Sequence, residues 1–137
     1  MKLLLDTHIW LWSLLDPGRL VPKVARALED TSHELWLSPV SIWELLILTE
    51  KQRLLLPGDR EAWIAQSLHS FPLQEATLTH AVALETEKIR LPHRDPADRF
   101  LVATARVYDL TLVTADERLL TSRAVPTLAN QRNFRIS

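Results

Sequence analysis

Short apolar runs alternate along the chain with longer segments in which apolar residues recur at helical spacing. This alternation is typical of a parallel sheet whose strands are joined by crossover helices. The sequence therefore predicts an α/β fold with a central parallel sheet flanked by helices. The predicted strands are Lys2–Asp6, Leu35–Leu37, a weak extended piece at Phe71–Leu73, Leu110–Thr114, and an edge strand around Val125–Leu128.

Two of the predicted helices begin at clear signals. Ser38-Pro39 and Asp95-Pro96 each combine an N-cap residue with proline at the first helical position. The predicted helices cover Thr7–Leu15, Pro22–Glu29, Pro39–Leu48, Arg60–Leu68, Leu78–Lys88, Pro96–Tyr108 and Asp116–Leu120.

The composition narrows the possible functions. The chain has 137 residues, of which 47% are hydrophobic and 24% charged, so we expect one globular domain over residues 1–137. The absence of cysteine excludes disulfides, thiolate catalysis and cysteine-based zinc sites. The 2 glycines are too few for a glycine-rich phosphate loop. The formal net charge of -1 gives no indication of nucleic acid or membrane binding.

The N-terminus begins like a signal peptide, with Lys2 before three leucines. However, Asp6, His8 and Asp16 interrupt the apolar region, and no small-residue cleavage site follows. The longest apolar run there, Ile9–Leu15, is much shorter than the roughly 18 residues needed to span a bilayer. We therefore expect a soluble, cytoplasmic protein with no membrane segment.

Two aspartates lie at the ends of predicted strands. Asp6 ends the first strand, and Asp116 follows Leu110–Thr114 by two residues. Because ligands of open parallel sheets bind outside the carboxyl ends of the strands, both acids would lie on one functional edge. The alternative is ordinary turn chemistry, since aspartate is common in loops and Asp116 can cap the helix after it.

Glu44 lies in a helical segment that is apolar nearly all round, which predicts a buried helix. Val40, Ile47 and Leu48 share its face at positions i-4, i+3 and i+4. A buried carboxylate must be neutral, paired with a cation or bound to a metal. Glu44 lies six residues into its helix, about 9 Å along the axis, so topology places it at the acidic edge less securely than it places the aspartates.

Asp98 stands at the head of an apolar stripe formed by Leu101, Val102 and Ala105, which places it on the buried face of its helix. Asp95 is the expected N-cap, and an acid in the first turn is favoured by the helix dipole, so a structural role alone would account for both acids. Since helices that follow parallel strands begin at the edge where those strands end, Asp98 would approach Asp6 and Asp116.

Such a cluster needs a compensating charge. Two carboxylates roughly 4 Å apart repel by about 4 kcal/mol at an effective dielectric of 20, and a group of four contains several such pairs. Arg94 or Arg99 would supply the charge in a structural ion-pair network. A hard divalent ion suits all-oxygen ligands better, and Mg²⁺ or Mn²⁺ would leave positions open for a phosphate oxygen. The histidines show no i, i+4 pair, so we expect surface or locally bonded histidines rather than zinc ligands.

Further candidates adjoin the acidic edge. Thr114 would hydrogen-bond a metal ligand or satisfy the local backbone, and together with Arg94 and Arg99 it is a candidate substrate contact. The arginines are equally well explained as surface or ion-pair residues. The five tryptophans are expected in the core or at protein interfaces.

Four segments together resemble the PIN domain, specifically the VapC-type ribonuclease toxins of bacterial type II toxin-antitoxin systems. They are LLLDTHIWLW with Asp6, SPVSIWEL with Glu44, HRDPADRFLVATA with Asp95 and Asp98, and LTLVTADERL with Asp116. Each segment alone is weak, but their order and spacing in a chain of this length form a specific signature. The resemblance covers essentially the whole chain.

The resemblance implies a three-layer α/β fold and metal-dependent endonucleolytic cleavage of RNA. It assigns the family's four acids to Asp6, Glu44, Asp98 and Asp116, which would bind Mg²⁺ or Mn²⁺, with Asp95 able to share the role of Asp98. It further implies a homodimer and inhibition by a cognate antitoxin that wraps the toxin and blocks the site.

The mechanism expected on this basis is hydrolysis of an RNA phosphodiester by metal-activated water. Asp6 and Asp98 are the expected direct ligands, while Glu44 and Asp116 would act through water, hold a second ion or orient the nucleophile. The alternative is a non-catalytic protein-binding module that docks a partner through the acidic edge and the tryptophan-rich helices. A phosphatase or phosphoacceptor domain based on Asp6 is disfavoured, because no second acid follows two residues later.

Cation binding would also change the charge balance. With the four acids neutralised, 13 acidic residues face 16 basic ones. This mildly basic remainder is compatible with binding a polyanion but is too weak to predict it.

Overall fold

The computed structural model describes residues 1–132 and contains one five-stranded parallel sheet with strand order β3-β2-β1-β4-β5. The strands are β1 (Lys2–Leu5), β2 (Glu34–Leu37), β3 (Gln74–Glu75), β4 (Thr111–Thr114) and β5 (Thr127–Ala129). β1 lies at the centre, where Leu3 pairs with Leu35 of β2 on one side and with Thr111 of β4 on the other. The parallel α/β architecture predicted from the sequence is confirmed.

Among the described residues, seven α-helices flank the sheet: α1 (Thr7–Leu15), α2 (Pro22–Glu29), α3 (Pro39–Glu50), α4 (Arg60–Leu68), α5 (His80–Glu85), α6 (Pro96–Tyr108) and α7 (Glu117–Ser122). Short 3₁₀ turns lie at Pro17–Arg19 and Thr86–Lys88. In the part of the chain that the structure describes, no helix has the length and apolar character needed to cross a bilayer.

The alternation of side chains along β1 shows how the three layers form. Leu3 and Leu5 point into one apolar cluster, which includes Trp10 and Leu45, whereas Leu4 points into the other, which includes Leu101. All three leucines of β1 are fully buried. The central strand is therefore covered on both faces, which explains why its sequence is a continuous apolar run.

Some predicted boundaries are wrong. The strand expected at Phe71–Leu73 lies instead at Gln74–Glu75, because Phe71 and Leu73 pack onto the apolar cluster while the next two residues pair with β2. The side chains of Gln74 and Glu75 are polar and exposed, so the hydrophobic pattern does not indicate a strand there. The helix expected from Leu78 to Lys88 is split into α5, which Thr79 caps, and a 3₁₀ turn.

The last strand is also displaced, since β5 covers Thr127–Ala129 rather than Val125–Leu128. Asp6 is not part of β1; it caps α1, and its backbone N–H still donates to Val113 O at 3.0 Å. The carboxyl ends of β1 and β4 therefore lie side by side, and the residues that follow these two strands meet at one edge.

Candidate functional site

An open pocket of about 340 Å³ lies at the carboxyl edge of the sheet. All four acids predicted from the sequence line this acidic pocket, and Asp95 does so too. Its lining also includes His8, Trp12, Ala115 and Arg118. The fold thus brings together carboxylates that are up to 110 positions apart in the sequence, from Asp6 to Asp116.

Asp6 is held by two hydrogen bonds from neighbouring residues. The Thr7 backbone N–H donates to Oδ1 at 2.8 Å, and the Thr114 hydroxyl donates to Oδ2 at 2.6 Å. The backbone N–H of Asp116 in turn donates to the Thr114 hydroxyl at 3.0 Å. Burial raises the pKa of Asp6 above its ordinary value even though both hydrogen bonds oppose that shift. Thr114, which is fully buried, therefore links the two strand ends and orients the Asp6 carboxylate.

Glu44 reaches the acidic pocket from α3, where a hydroxyl pair supports it. The Thr7 hydroxyl donates to Glu44 Oε1 at 2.6 Å and lies 2.8 Å from the hydroxyl of Ser41. Because a hydroxyl carries only one proton, Ser41 must donate to Thr7 when Thr7 donates to Glu44. Burial, and to a smaller extent repulsion by Asp6 and the other acids, raises the pKa of Glu44 to about 7.

The environment of Glu44 is less enclosed than the sequence predicts. Only Val40, Ser41 and Leu45 of α3 are buried, and the Trp43 side chain is 54% exposed. The outer face of the helix is apolar, yet nothing in the described part of the chain covers Trp43 there. The prediction of a fully buried helix is wrong, although Glu44 itself lies on the side that faces the other acids.

Asp98 and Asp95 have different roles in the first turn of α6. Asp95 is the N-cap and accepts a hydrogen bond from the Ala97 N–H at 3.0 Å. Asp98 is buried, and its Oδ2 lies 2.6 Å from Nε2 of His93. Burial raises the pKa of Asp98 to about 6, although the hydrogen bond from His93 acts in the opposite direction. Thus His93 is a locally bonded histidine, and its partner is one of the pocket acids.

Asp116 differs from the other acids because the guanidinium group of an arginine contacts it. Asp116 caps α7, and Nη2 of Arg118 donates to its Oδ2 at 2.9 Å. This hydrogen bond lowers the pKa of Asp116 below its ordinary value. The sequence reasoning missed Arg118, although an arginine two residues after an N-cap aspartate was a visible signal.

Arg94 and Arg99 were the alternative source of counter-charge, but neither pairs with the acids within residues 1–132. Both line an adjacent pocket instead. Nη2 of Arg99 donates to the backbone oxygen of Thr86 at 2.7 Å. The acidic pocket therefore contains more carboxylates than basic side chains, and Arg118 is its only lining arginine among the described residues.

The donor set fits a hard divalent cation. Every candidate ligand is a carboxylate oxygen, which is the donor type that Mg²⁺ and Mn²⁺ prefer. Burial and mutual repulsion raise the pKa of Asp6, Glu44 and Asp98, and a bound cation would relieve that repulsion. Within residues 1–132, however, no three acid or histidine side chains are gathered closely enough to hold an ion without side-chain movement.

Comparison with known proteins decides the family. Residues 3–124 match the PIN domain. The chain belongs to the PIN domain family. Ribonuclease VapC22 of Mycobacterium tuberculosis (strain ATCC 25618 / H37Rv) is 33% identical over 123 residues, which are 88% of this chain and 91% of that protein.

Two solved structures show the same fold as this PIN domain. The structure of VapBC2 from Rickettsia felis, bound to a DNA fragment from the VapBC2 promoter, contains a chain that matches with a TM-score of 0.70 and 15% identity. The match covers 94% of this chain and 98% of that chain. A toxin-antitoxin complex from Klebsiella pneumoniae matches with a TM-score of 0.62 and 18% identity over 93% and 97% of the two chains. The resemblance to PIN domains inferred from the sequence is therefore confirmed, and these two likenesses support the fold.

Proposed function

We propose that this PIN domain is an endoribonuclease that hydrolyses RNA phosphodiester bonds and acts as the toxin of a toxin-antitoxin pair. The observation that carries the proposal is the acidic pocket, in which Asp6, Glu44, Asp98 and Asp116 meet at the carboxyl edge of a parallel sheet. The 33% identity to a protein named ribonuclease VapC22 supports the reaction class. The proposed location is the cytoplasm, where such an RNA substrate would be available.

The proposed cofactor is Mg²⁺ or Mn²⁺. Asp6 and Asp98 would be its direct ligands, with Asp95 able to share the role of Asp98, because these carboxylates line one pocket. When bound, such a cation lowers the pKa of the attacking water and stabilises the negative charge that develops on the phosphate.

The side chains of the chain itself would position the reacting groups. Thr114 holds Oδ2 of Asp6 in place through its hydroxyl, which is 2.6 Å away. Glu44 has a pKa near neutrality before a cation binds, so its carboxyl can hold or release a proton at Oε1 and Oε2 close to physiological pH. Asp116 would orient water or a second ion, and Arg118 fixes the position of its carboxylate.

Cleavage of RNA by an aspartate-to-asparagine variant tests this function. We expect Asp98→Asn to lower the Mn²⁺-dependent cleavage rate about 100-fold, since asparagine at a direct ligand position removes both charge and a coordinating oxygen. Asp109→Asn is the matched control, because Asp109 is exposed at the end of the same helix and its φ of 57° suits asparagine. Removal of divalent cations with EDTA should abolish turnover. Cleavage of total RNA followed by mapping of the new ends would define the substrate. Full activity of Asp98→Asn would contradict the assignment.

We further propose that the chain forms a homodimer and binds a cognate antitoxin. Trp43 is 54% exposed and lines an apolar pocket of about 550 Å³ with Ile42, Leu46 and Leu68. An apolar surface of this kind is typical of a protein interface. Size-exclusion chromatography with light scattering at several concentrations tests the dimer, and co-purification with the product of a neighbouring small gene tests the antitoxin.

The same exposed face favours a second candidate function, that of a non-catalytic docking module. Calorimetry of the isolated chain with Mn²⁺ separates the two functions. A catalytic metal site predicts Mn²⁺ binding that Asp98→Asn weakens and Asp109→Asn does not. A docking module alone predicts no Mn²⁺ binding by either variant or by the unaltered chain.

A further inference from the structure

A second pocket, of about 440 Å³, lies beside the acidic pocket. Arg90, Arg94 and Arg99 line it together with His93 and Pro96, and we refer to it as the arginine pocket. Among the described residues that line it, none is acidic. Three positively charged groups around one open space form a strongly basic site in a chain whose overall charge is -1.

The two pockets share a wall. His93 lines the arginine pocket, and its Nε2 donates to Asp98, which lines the acidic pocket. Arg94 and Asp95 are consecutive in the sequence, as are Asp98 and Arg99, and in each pair the arginine lines one pocket and the aspartate the other. The segment from residue 93 to residue 99 therefore separates a site of negative charge from a site of positive charge.

The arginines are positioned by neutral acceptors, which leave their charge intact. Arg99 donates to the backbone oxygen of Thr86, and Arg90 donates to the backbone oxygens of Glu87 and Ile89. The Nε of Arg99 is buried and has no hydrogen-bond partner within residues 1–132. Arg94 is exposed and forms no ion pair in the same part of the chain. An anion in this pocket would supply the charge and the acceptors that these guanidinium groups lack.

We propose that the arginine pocket binds a backbone phosphate of RNA that neighbours the phosphate to be cleaved. The proposal rests on the proposed ribonuclease function and names a second contact for the same strand. An RNA strand whose scissile phosphate lies at the acidic pocket must continue past it, and the arginine pocket lies on the other side of the shared wall. Planar guanidinium groups match phosphate oxygens geometrically, so the contact reads the backbone and not the base sequence.

Arg94 provides the cleanest test, because it is exposed and its removal should not disturb the fold. We expect Arg94→Ala to raise the KM for RNA about tenfold with an unchanged kcat, since loss of a charge-assisted hydrogen bond weakens binding before chemistry. The slope of log binding constant against log salt concentration should fall by about 0.7, the value for one phosphate contact on a single strand. Arg94→Lys should keep most of that slope because it keeps the charge.

Arg26→Ala is the matched control, since Arg26 is exposed on α2 and lines neither pocket. The measurements are steady-state cleavage with Mn²⁺ and fluorescence anisotropy of a labelled single-stranded RNA in EDTA at several salt concentrations. If Arg94→Ala has the same KM and the same salt slope as Arg26→Ala, the proposed phosphate contact is wrong. The proposal is also wrong if Arg94→Lys lowers the salt slope as much as Arg94→Ala does. If RNA binds with an Arg94-dependent slope but no cleavage occurs, the phosphate site stands and the ribonuclease function is wrong.

Discussion

Nε2 of His93 lies 2.6 Å from Oδ2 of Asp98, and the two side chains are only 11% and 10% exposed. Nδ1 of His93 is buried and has no hydrogen-bond partner among residues 1–132. A proton on Nδ1 would be an unsatisfied buried donor, so the tautomer with its proton on Nε2 fits this environment. In that tautomer His93 donates to the Asp98 carboxylate and fixes its orientation toward the acidic pocket.

This relationship predicts that His93 contributes to cation binding without touching the cation. Removing a residue that orients a ligand commonly weakens metal affinity by about 10- to 100-fold. We expect His93→Ala to weaken Mn²⁺ binding by this factor and to raise the pKa of Asp98 further, because the hydrogen bond that lowers it is lost. His93→Gln, which retains a donor N–H, should recover part of the affinity. Calorimetry with Mn²⁺ in the absence of RNA measures both variants.

The matched control for His93 is His69→Ala, since His69 follows α4 and lines a different pocket. His69→Ala should leave Mn²⁺ affinity unchanged. Equal Mn²⁺ affinities for His93→Ala and the unaltered chain would contradict the positioning role.

Thr114 should affect both stability and the site. Its buried hydroxyl joins Asp6 to the backbone of Asp116, so valine at this position leaves an oxygen of Asp6 without its donor. We expect Thr114→Val to destabilise the fold by about 1–3 kcal/mol and to reduce cleavage, because the half-buried Asp6 carboxylate loses a donor and the Asp116 N–H loses its acceptor. Thr114→Ser retains the hydroxyl and should be close to the unaltered chain. Urea unfolding in EDTA measures the stability change, and a Thr114→Val variant as stable and active as Thr114→Ser would exclude this role.

The parts of the fold that follow from hydrophobic pattern were predictable, and those set by pairing or by individual contacts were not. Both faces of the sheet are covered at β1 and β4, so these strands carry buried apolar residues on both faces. Their hydrophobic pattern therefore predicts them from the sequence. β3 consists of two exposed polar residues that are strand only because they pair with Trp36 and Leu37 of β2. Nothing local to Gln74 or Glu75 predicts such a pairing.

The candidate site shows the same division. Topology predicts that Asp6, Asp98 and Asp116 meet, because the carboxyl ends of parallel strands and the starts of the following helices share an edge. The contacts that orient these acids depend on side-chain geometry: His93 on Asp98, Thr7 on Glu44 and Arg118 on Asp116. The exposure of Trp43 was also unpredictable, since an apolar outer face looks the same in sequence whether another protein or this chain covers it.

The acidic pocket predicts a pH-dependent stability for the cation-free chain. The pKa of Glu44 is 4.5 ordinarily and about 7 in the fold, so between these values the folded chain binds a proton that the unfolded chain releases. The free energy of unfolding therefore falls as pH rises through this window, and Asp98, with a pKa of about 6, acts in the same direction. Thermal unfolding in EDTA should show a lower Tm at pH 8 than at pH 5.

Glu44→Gln isolates the contribution of one acid, because glutamine keeps the shape but does not titrate. Its Tm should fall less than that of the unaltered chain between pH 5 and pH 8, and Glu61→Gln, at an exposed position on α4, should behave like the unaltered chain. Mg²⁺ should flatten the profile of the unaltered chain, since the cation replaces the protons. Identical pH profiles for Glu44→Gln and Glu61→Gln would rule out the raised pKa of Glu44 as a cause.

Arg118 should oppose cation binding to the free enzyme. Its guanidinium donates to both carboxylate oxygens of Asp116, so it adds positive charge to the pocket and occupies a candidate ligand. We expect Arg118→Ala to tighten Mn²⁺ binding several-fold, because removing a positive charge beside a cation site lowers the repulsion there. The stability of the fold should change little, since the ion pair is exposed on the Arg118 side. Calorimetry at low and high salt measures the effect, which should shrink at high salt through screening. Arg26→Ala provides the control for loss of one arginine, and weaker Mn²⁺ binding by Arg118→Ala than by Arg26→Ala would show that Arg118 supports the cation site by holding Asp116 in place.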